Sequence, residues 1–384
     1  MPFTRVICSI MGSVPNTPAT PPDNSTIPPI AGVSTATTAL IGFSPSGPLQ
    51  AATPLLSFTQ YTSQFGGLDA NSEMSFAAMQ FFENGGNSLY VVRVGASGGA
   101  LDLKAAQAAL QALDQVAVLN LLCLPGVTDP AILAAARSYC EKRRIFLIID
   151  ADPKATTPGQ LTNLMNGAVL PRSLSAAVYG PWLELPNPLS SGSLRTSAPS
   201  GTVAGIYART DAQSGVWKAP AGLNAALIGV SQLTAAFNDA EARALQELGL
   251  NLIRPFPSEG ILLWGARTLA PAIGAAHSGY EYVPVRRLAL FLEESIMRGI
   301  QWAVFEPNGP VLWAKLQSTV SAFLHGLYQQ GAFHGITPAD AYFVKCDATT
   351  TTKTDIDQGA VNIVVGFAPL QPAEFVTLKI VALQ

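Results

Sequence analysis

The sequence predicts an α/β domain followed by a smaller α+β domain, with extended arms at the termini. Three observations predict it. Between Val33 and Leu248, continuously apolar runs alternate with amphipathic helical segments, as in a sheet covered on both faces. From Tyr280 to Ala348, two long helices carry apolar stripes, and runs of alternating apolar and polar residues follow. Residues 1–31 hold seven prolines and two charged side chains, Arg5 and Asp23, so they neither bury themselves nor form a long helix. The expected organisation is a proline-rich arm over 1–31, an α/β domain over 32–255, and an α+β assembly domain with a terminal strand over 256–384.

In chain order, the Thr/Val/Ile-rich run Val33–Phe43 reads as a strand closed by Ser44-Pro45-Ser46-Gly47-Pro48. Helices follow at Phe58–Phe65 and Glu73–Asn84, then a buried-type strand at Leu89–Val94. The alternation continues with helix Leu101–Leu113, strand Val116–Leu124, helix Pro130–Lys142, strand Ile145–Asp150, helix Pro158–Ala168 and strand Leu174–Tyr179. Leu185–Ser200 reads as a proline- and serine-rich loop, Gly201–Thr210 as a helix, Ala226–Val230 as a strand and Asp239–Leu248 as a helix. Asn251–Arg254 and Ile261–Trp264 form an expected closing strand pair.

The most strongly patterned stretch comes next. Leu288, Phe291, Leu292, Ile296 and Ile300 recur at helical spacing over Arg286–Trp302, with Glu294 and Arg298 four apart on the open side. A short apolar run, Ala303-Val304-Phe305, stops at Glu306-Pro307-Asn308-Gly309-Pro310, which offers a proline to open the next helix. That helix carries Leu312, Trp313, Leu316, Val320, Phe323, Leu324, Leu327 and Tyr328 on one face and ends near Gly331. Ala341–Cys346 is strand-like, Asp347–Gly359 a solvated loop, and Val361–Phe367 and Val376–Leu383 alternate as strands.

Composition narrows the function. The chain is 48% hydrophobic and 12% charged, against roughly a quarter charged in typical soluble domains. So few charges leave much neutral surface, which calls for a membrane or for partners that cover it. No window of about 18 uncharged apolar residues is present to span a bilayer, and prolines interrupt the opening residues, so no signal peptide is expected. Assembly leads. With a net charge of −3 and no basic cluster beyond Glu141-Lys142-Arg143-Arg144 at a helix end, nucleic acid is not an expected partner. Cys8, Cys123, Cys140 and Cys346 lack paired spacing, which suggests reduced thiols and synthesis in the cytoplasm.

Catalytic motifs are sparse. Gly95-Ala96-Ser97-Gly98-Gly99 follows a strand and precedes a helix, which invites a phosphate-cradle reading, but its spacing fits neither common fingerprint. An α/β enzyme or nucleotide-binding protein using that turn is the alternative function. Asp150 and Asp152 end a strand where a sheet would place a catalytic acid. The three histidines, His277, His325 and His334, all lie outside the α/β region, and no G-x-S-x-G elbow is present. Asp347, Asp355 and Asp357 lack the order of a calcium loop, and no metal or other cofactor is expected. Arg286-Arg287 and Glu293-Glu294 read as ion pairs between a helix and its neighbours.

A resemblance then adds what the chemistry does not. Tyr282-Val283-Pro284-Val285-Arg286-Arg287-Leu288, Leu292-Glu293-Glu294-Ser295-Ile296, Trp302-Ala303-Val304-Phe305-Glu306-Pro307-Asn308 and Leu312-Trp313 resemble the C-terminal signature of contractile tail sheath proteins. The likeness continues in Phe343-Val344-Lys345-Cys346-Asp347, Asp355-Ile356-Asp357-Gln358-Gly359 and Pro372-Ala373-Glu374-Phe375-Val376, and upstream in Ile206–Asp211, Gly215–Pro220 and Trp264–Leu269. It extends to Leu40-Ile41-Gly42-Phe43 and Phe81–Gly86, so it runs in order over roughly residues 32–384. Members occur in phage tails, R-type bacteriocins and extracellular contractile injection systems.

The resemblance implies a structural protein without catalytic residues, whose middle domain is subtilisin-like in fold but lacks a triad. It implies assembly into stacked hexameric rings around an inner tube protein, with baseplate and tail-terminator proteins as further partners and without nucleic acid or membrane insertion. Contraction of a metastable sheath would drive the tube through a target envelope. Assembly would take place in the bacterial cytoplasm, with possible release of the particle. Family subunits link by adding terminal strands to neighbours' sheets. Here the implied recipient is Ala341–Cys346 with Val361–Phe367, giving Phe343, Val344, Val361, Ile363 and Val365 as inter-subunit strand residues. Val376, Leu378 and Ile380 form either a donated strand or an intramolecular third one. The family's Pro-Gly-Val-Tyr-like opening is missing, so either Arg5–Ile10 or Ile27–Val33 is the N-terminal donor, with Val6, Ile7, Ile27 and Ile30 as arm residues. Lys315 and Gln317 are tube-facing candidates on the second long helix.

Overall fold

The structure is a computed structural model that describes residues 27–270 and 279–372, together with the backbone of strand β1, Thr4–Ile10. The chain continues through β2 (Thr38–Phe43), β3 (Thr53–Leu55), α1 (Phe58–Phe65), α2 (Glu73–Glu83), β4 (Leu89–Gly95), α3 (Leu103–Ala112), β5 (Leu121–Cys123) and α4 (Pro130–Arg143). Next come β6 (Phe146–Asp150), α5 (Pro158–Asn166), β7 (Ala176–Gly180), β8 (Leu183–Pro186), β9 (Leu194–Ser197), α6 (Ser200–Ser214), β10 (Gln232–Leu233), α7 (Asp239–Glu247), β11 (Leu250–Phe256) and β12 (Gly260–Trp264). The C-terminal part holds α8 (Val283–Gly299), α9 (Pro310–Gln329), α10 (Pro338–Ala341), β13 (Tyr342–Lys345), α11 (Lys353–Asp357) and β14 (Val361–Phe367).

Local chemistry sets the helix starts. Ser57, Ser72, Asp102, Asp129, Thr157 and Asn238 each turn a side-chain oxygen onto an otherwise unpaired N–H of the first turn. Pro130, Pro158 and Pro310 stand in first turns, where the missing N–H costs nothing.

Eight strands form one sheet in the order β12-β11-β7-β6-β5-β2-β4-β3. The six inner strands are parallel, while β3 and β12 pair antiparallel at the edges. Alternation along a strand sends side chains to opposite layers. Phe146 and Ile148 of β6 join Phe76, Phe81, Val203 and Tyr207 of α2 and α6. Leu147 and Ile149 join Ala109, Leu133, Leu161 and Leu245 of α3, α4, α5 and α7 on the other face. The α/β expectation is thereby met, and the continuous apolar runs reflect burial on both faces.

A third core gathers under α8 and α9, where Leu292, Ile296, Trp313, Leu316, Val320 and Leu324 pack on Val361, Ile363, Val365 and Phe367 of β14. The three-stranded sheet β1-β14-β13 closes it.

Several elements differ from the sequence expectation. The expected loop Leu185–Ser200 contains most of the β8–β9 hairpin, which the prolines tolerate because it is a small separate sheet. The expected strand Ala226–Val230 makes only one bridge, Ala226 to Leu262; Leu227 and Val230 pack on the core without a ladder, and Ile228 is exposed. Strand Val116–Leu124 shrinks to Leu121–Cys123, since Val116 is held by a turn from Leu113. Val33–Phe43 forms a strand only from Thr38. The α8 helix starts earlier, at Val283, and stops at Gly299; Gln301–Ala303 is one 3-10 turn and Phe305 leaves the apolar layer entirely. The loop over Asp347–Gly359 encloses α11, capped by Thr352. The expected division after residue 255 falls inside β11, whose partner β12 carries the large sheet on to Trp264.

Candidate functional site: the terminal sheet and its supporting helices

The α/β layer offers no catalytic constellation among the described residues. Asp150, at the end of β6, is buried, and its carboxylate accepts from the Gly126 N–H (3.0 Å), the Ser200 N–H (2.7 Å) and the Ser200 hydroxyl (2.9 Å). It holds the start of α6 against the sheet. Burial pushes its pKa up to about 7, with three donors opposing. Among the described residues no histidine bonds to it; His325 lies on α9, beside the Tyr342 hydroxyl at 3.2 Å. Asp152 accepts from the N–H of Lys154 in a turn.

The Gly95–Gly99 turn does not form a phosphate cradle. Its concave side is filled by Phe43, whose ring would lie 2.6 Å from a Cβ at Gly99 and 3.2 Å from one at Gly95. The N-terminus of α3 is already occupied by the Asp102 carboxylate, which accepts from Ala105 at 2.7 Å and would repel an anion. Among the described residues, no cluster of His, Cys, Asp and Glu could hold a metal ion, and no helix is long and apolar enough to cross a membrane. Of the Asp347, Asp355 and Asp357 candidates, Asp347 accepts from Thr349 in a turn and Asp355 from Thr352 in a helix cap, and Asp357 is the last residue of α11.

The terminal sheet is the more informative feature. Its centre is β14, paired antiparallel on one side with β13 and on the other with β1. The β1 register covers seven pairs, from Thr4 opposite Phe367 to Ile10 opposite Val361. Val6 and Ile7 lie opposite Val365 and Val364. Val361, Ile363 and Val365 turn inward under α9, so their side chains hold the core while their backbones hold the neighbouring strands. Val344 of β13 is buried, and Phe343 covers Gly366, where a Cβ would stand 2.1 Å from its ring. An unbranched backbone position is required there. Val376, Leu378 and Ile380 lie outside the described residues.

The other arm residues divide. Ile30 is buried against α8, where it lies so close to Gly299 that a Cβ there would meet its side chain at 2.6 Å. Ile27 is exposed. Val33 donates its N–H to the Ser295 hydroxyl at 3.1 Å, fixing this stretch of chain to α8. On α9, Lys315 points to solvent, whereas the Gln317 amide donates to the Val344 carbonyl at 3.2 Å and braces β13.

Arginines of α8 bolt this unit onto the α/β layer. Arg287 makes two bonds to Asp211 of α6, at 2.9 and 2.6 Å, donates to the Thr35 carbonyl at 2.9 Å, and stacks over the Tyr207 ring at 4.6 Å. Arg286 meets Glu293 at 3.5 Å and the Ser175 hydroxyl at 3.0 Å, and Arg298 pairs with Glu294 at 2.6 Å while donating to the Ala117 carbonyl. Arg144, at the end of α4, reaches Glu293 at 3.4 Å. The arginine and glutamate pairs were legible in the sequence; Asp211, a single acid on a helix, carried no signal of its own.

Two family models match the chain in tandem: the phage tail sheath protein central domain over residues 99–269, and the phage tail sheath C-terminal domain over residues 276–382. The chain belongs to the phage tail sheath family. Solved structures similar to this sheath protein include the helical sheath of the anti-feeding prophage in its contracted state, 30% identical with a TM-score of 0.76, covering 96% of this chain and 99% of that one. The contracted sheath complex of PVC, an extracellular contractile injection system, is 27% identical with a TM-score of 0.77 over 96% and 98% of the two chains. A chain of the six-fold symmetrised anti-feeding prophage baseplate is 30% identical with a TM-score of 0.75 over 97% and 100%. The tail sheath protein of Vibrio phage KVP40 is 28% identical over 184 residues, 48% of this chain. The chain spans about a quarter (26%) of the length of that phage relative.

Proposed function

We propose that this sheath protein is the repeating subunit of a contractile sheath. It polymerises helically, as stacked hexameric rings, around an inner tube protein. Contraction drives that tube through a target envelope, with energy stored in subunit packing and no catalytic site involved. Likeness over nearly the whole chain to the contracted sheaths of PVC and of the anti-feeding prophage carries this reading. The baseplate is a further partner, in keeping with the baseplate-derived chain it resembles; a tail terminator is the expected partner at the other end. The subunits are made in the bacterial cytoplasm and end up in a phage tail or tail-like particle.

The chain divides functionally into the arm, the α/β domain and the assembly domain, with the terminal sheet as the linking device. Residues 11–26 separate β1 from the described body. Sixteen residues span up to about 55 Å when extended, enough for β1 to pair with the β14 of another subunit in the register seen here. Val361, Ile363, Val365, Phe343 and Val344 would receive the strand, and Val6 and Ile7 would belong to the donor. Main-chain bonds of this kind persist while bodies rotate. Lys315, exposed on α9, is offered as a tube-facing residue, with Gln317 bracing the same face.

The test removes residues 1–31 and expresses the shortened chain with its tube protein. Folded, monodisperse subunits without tubes are expected by negative-stain microscopy, beside hollow tubes of regular width from the full chain. Normal tubes from the shortened chain would remove the arm from the account.

A further inference from the structure

The loop from α8 to α9 ends in an aromatic knob. Phe305 is fully exposed, and its φ of +71° lies in the left-handed region, a costly conformation for an aromatic residue. The base of the loop is clamped. Asn308 donates its amide to the Ala360 carbonyl at 2.9 Å and accepts from the Trp313 indole N–H at 2.8 Å, while Pro310 opens α9. An exposed aromatic ring on a strained backbone above a clamped stem, with Val311 also exposed at the start of α9, is the form of a preorganised anchor.

A receiving groove of about 670 Å³ lies at the other end of α9. Phe291 and Phe323, with ring centroids 6.1 Å apart, form its aromatic floor; Ile27, Pro28 and Pro29 line one side, and Ala322 and Gly326 form a low wall on the other. A Cβ at Gly326 would meet nothing within 4 Å, so that wall is open. At about 1.5 Å per residue, Ala322 and Gly326 stand about 18 and 24 Å beyond Pro310 along a continuous helix, so the knob does not reach the open wall of its own groove.

We propose that Phe305 of one subunit seats in the α9 groove of the next. A knob and a groove at opposite ends of one helix make a head-to-tail contact, which propagates into rings or helices instead of closing a dimer. That is the symmetry a helical sheath needs, and the proposal rests on the sheath reading above. It commits to a second copy of this chain as the occupant.

The experiment uses the full chain with its tube protein. Chains bearing Phe305→Cys and chains bearing Ala322→Cys are mixed before assembly and then oxidised. Disulfide-linked pairs are expected only in assembled tubes and only when both variants are present. Phe305→Gly removes the ring and relaxes the backbone, so its melting temperature should be equal or higher while tube yield falls at least tenfold. Gly326→Leu fills the groove from its open side and should also melt normally and lose tubes. Three outcomes overturn the proposal: tubes without cross-linking, wild-type assembly by both folded variants, or loss of tubes for Gly326→Leu alone, which would place another segment in the groove. Failure of the unmodified chain to form any tube would instead sink the sheath reading and this contact with it.

Discussion

Replacing Arg287 by Leu tests how the assembly unit is held to the α/β layer. Arg287 and Asp211 are 3% and 5% exposed, and their two bonds join α8, which supports the terminal sheet, to α6, which packs on the large sheet. Removing the guanidinium leaves a buried carboxylate without its counter-charge, and the Thr35 carbonyl and Tyr207 ring lose a partner. Breaking a buried pair in this way costs roughly 3–5 kcal/mol. An unfolding entropy of about 2.1 cal/mol/K per residue gives roughly 0.8 kcal/mol/K for the whole chain, so the melting temperature should fall by about 4–6 °C. Thermal melts of the isolated subunit measure it. Adding Asp211→Leu should recover most of the loss, because a buried pair replaced by apolar groups is near neutral, whereas one partner alone is not. A single variant melting within about 1 °C of the parent, or a double variant worse than Arg287→Leu, would refute the reasoning.

The remaining predictions concern the α/β layer. Asp150 has a folded pKa raised to about 7 by burial, above its unfolded value of about 4, so the fold favours its protonated form. Its contribution is therefore most favourable below about pH 4 and declines as pH rises to about 7. Asp150→Asn should lose that part of the stability slope, because an amide does not titrate in this range; identical slopes from pH 4 to 7 would contradict this. Gly205 lets α6 approach α2, since a Cβ there would stand 2.5 Å from the Phe81 carbonyl oxygen and 2.8 Å from the Asn84 Cβ. Gly205→Ala should destabilise by about 1–3 kcal/mol in a denaturant titration, and an unchanged midpoint would show that the helices separate freely.

Much of this fold was legible because burial imposes periodicity. β6 is apolar from Phe146 to Ile149 and β7 along its length, so they announced a sheet covered on both faces, and α9 showed its stripe from Leu312 to Leu327. The β8–β9 hairpin was missed because its alternation is short and broken by Pro186 and Pro188. Val116 and Ala226–Val230 misled because apolar residues bury themselves in loops as well as in ladders. Site features were less legible. The central strand of the terminal sheet, β14, was readable from Val361, Ile363, Val365 and Phe367, but its pairing with β1 depends on residues far apart in the chain. The exposure of Phe305 was hidden within an apolar run that looked like core, since exposure follows from backbone direction and not from residue type.

The measurement that bears most directly on the central claim is a helical reconstruction of tubes formed by the full chain with its tube protein, at a resolution that traces residues 4–26. The account predicts a hollow sheath in which Thr4–Ile10 of each subunit lies antiparallel to Val361–Phe367 of a neighbour, in the register Thr4 to Phe367. Tubes in which every β1 remains on its own β14, or a chain that stays a small monodisperse species under all conditions, would contradict it.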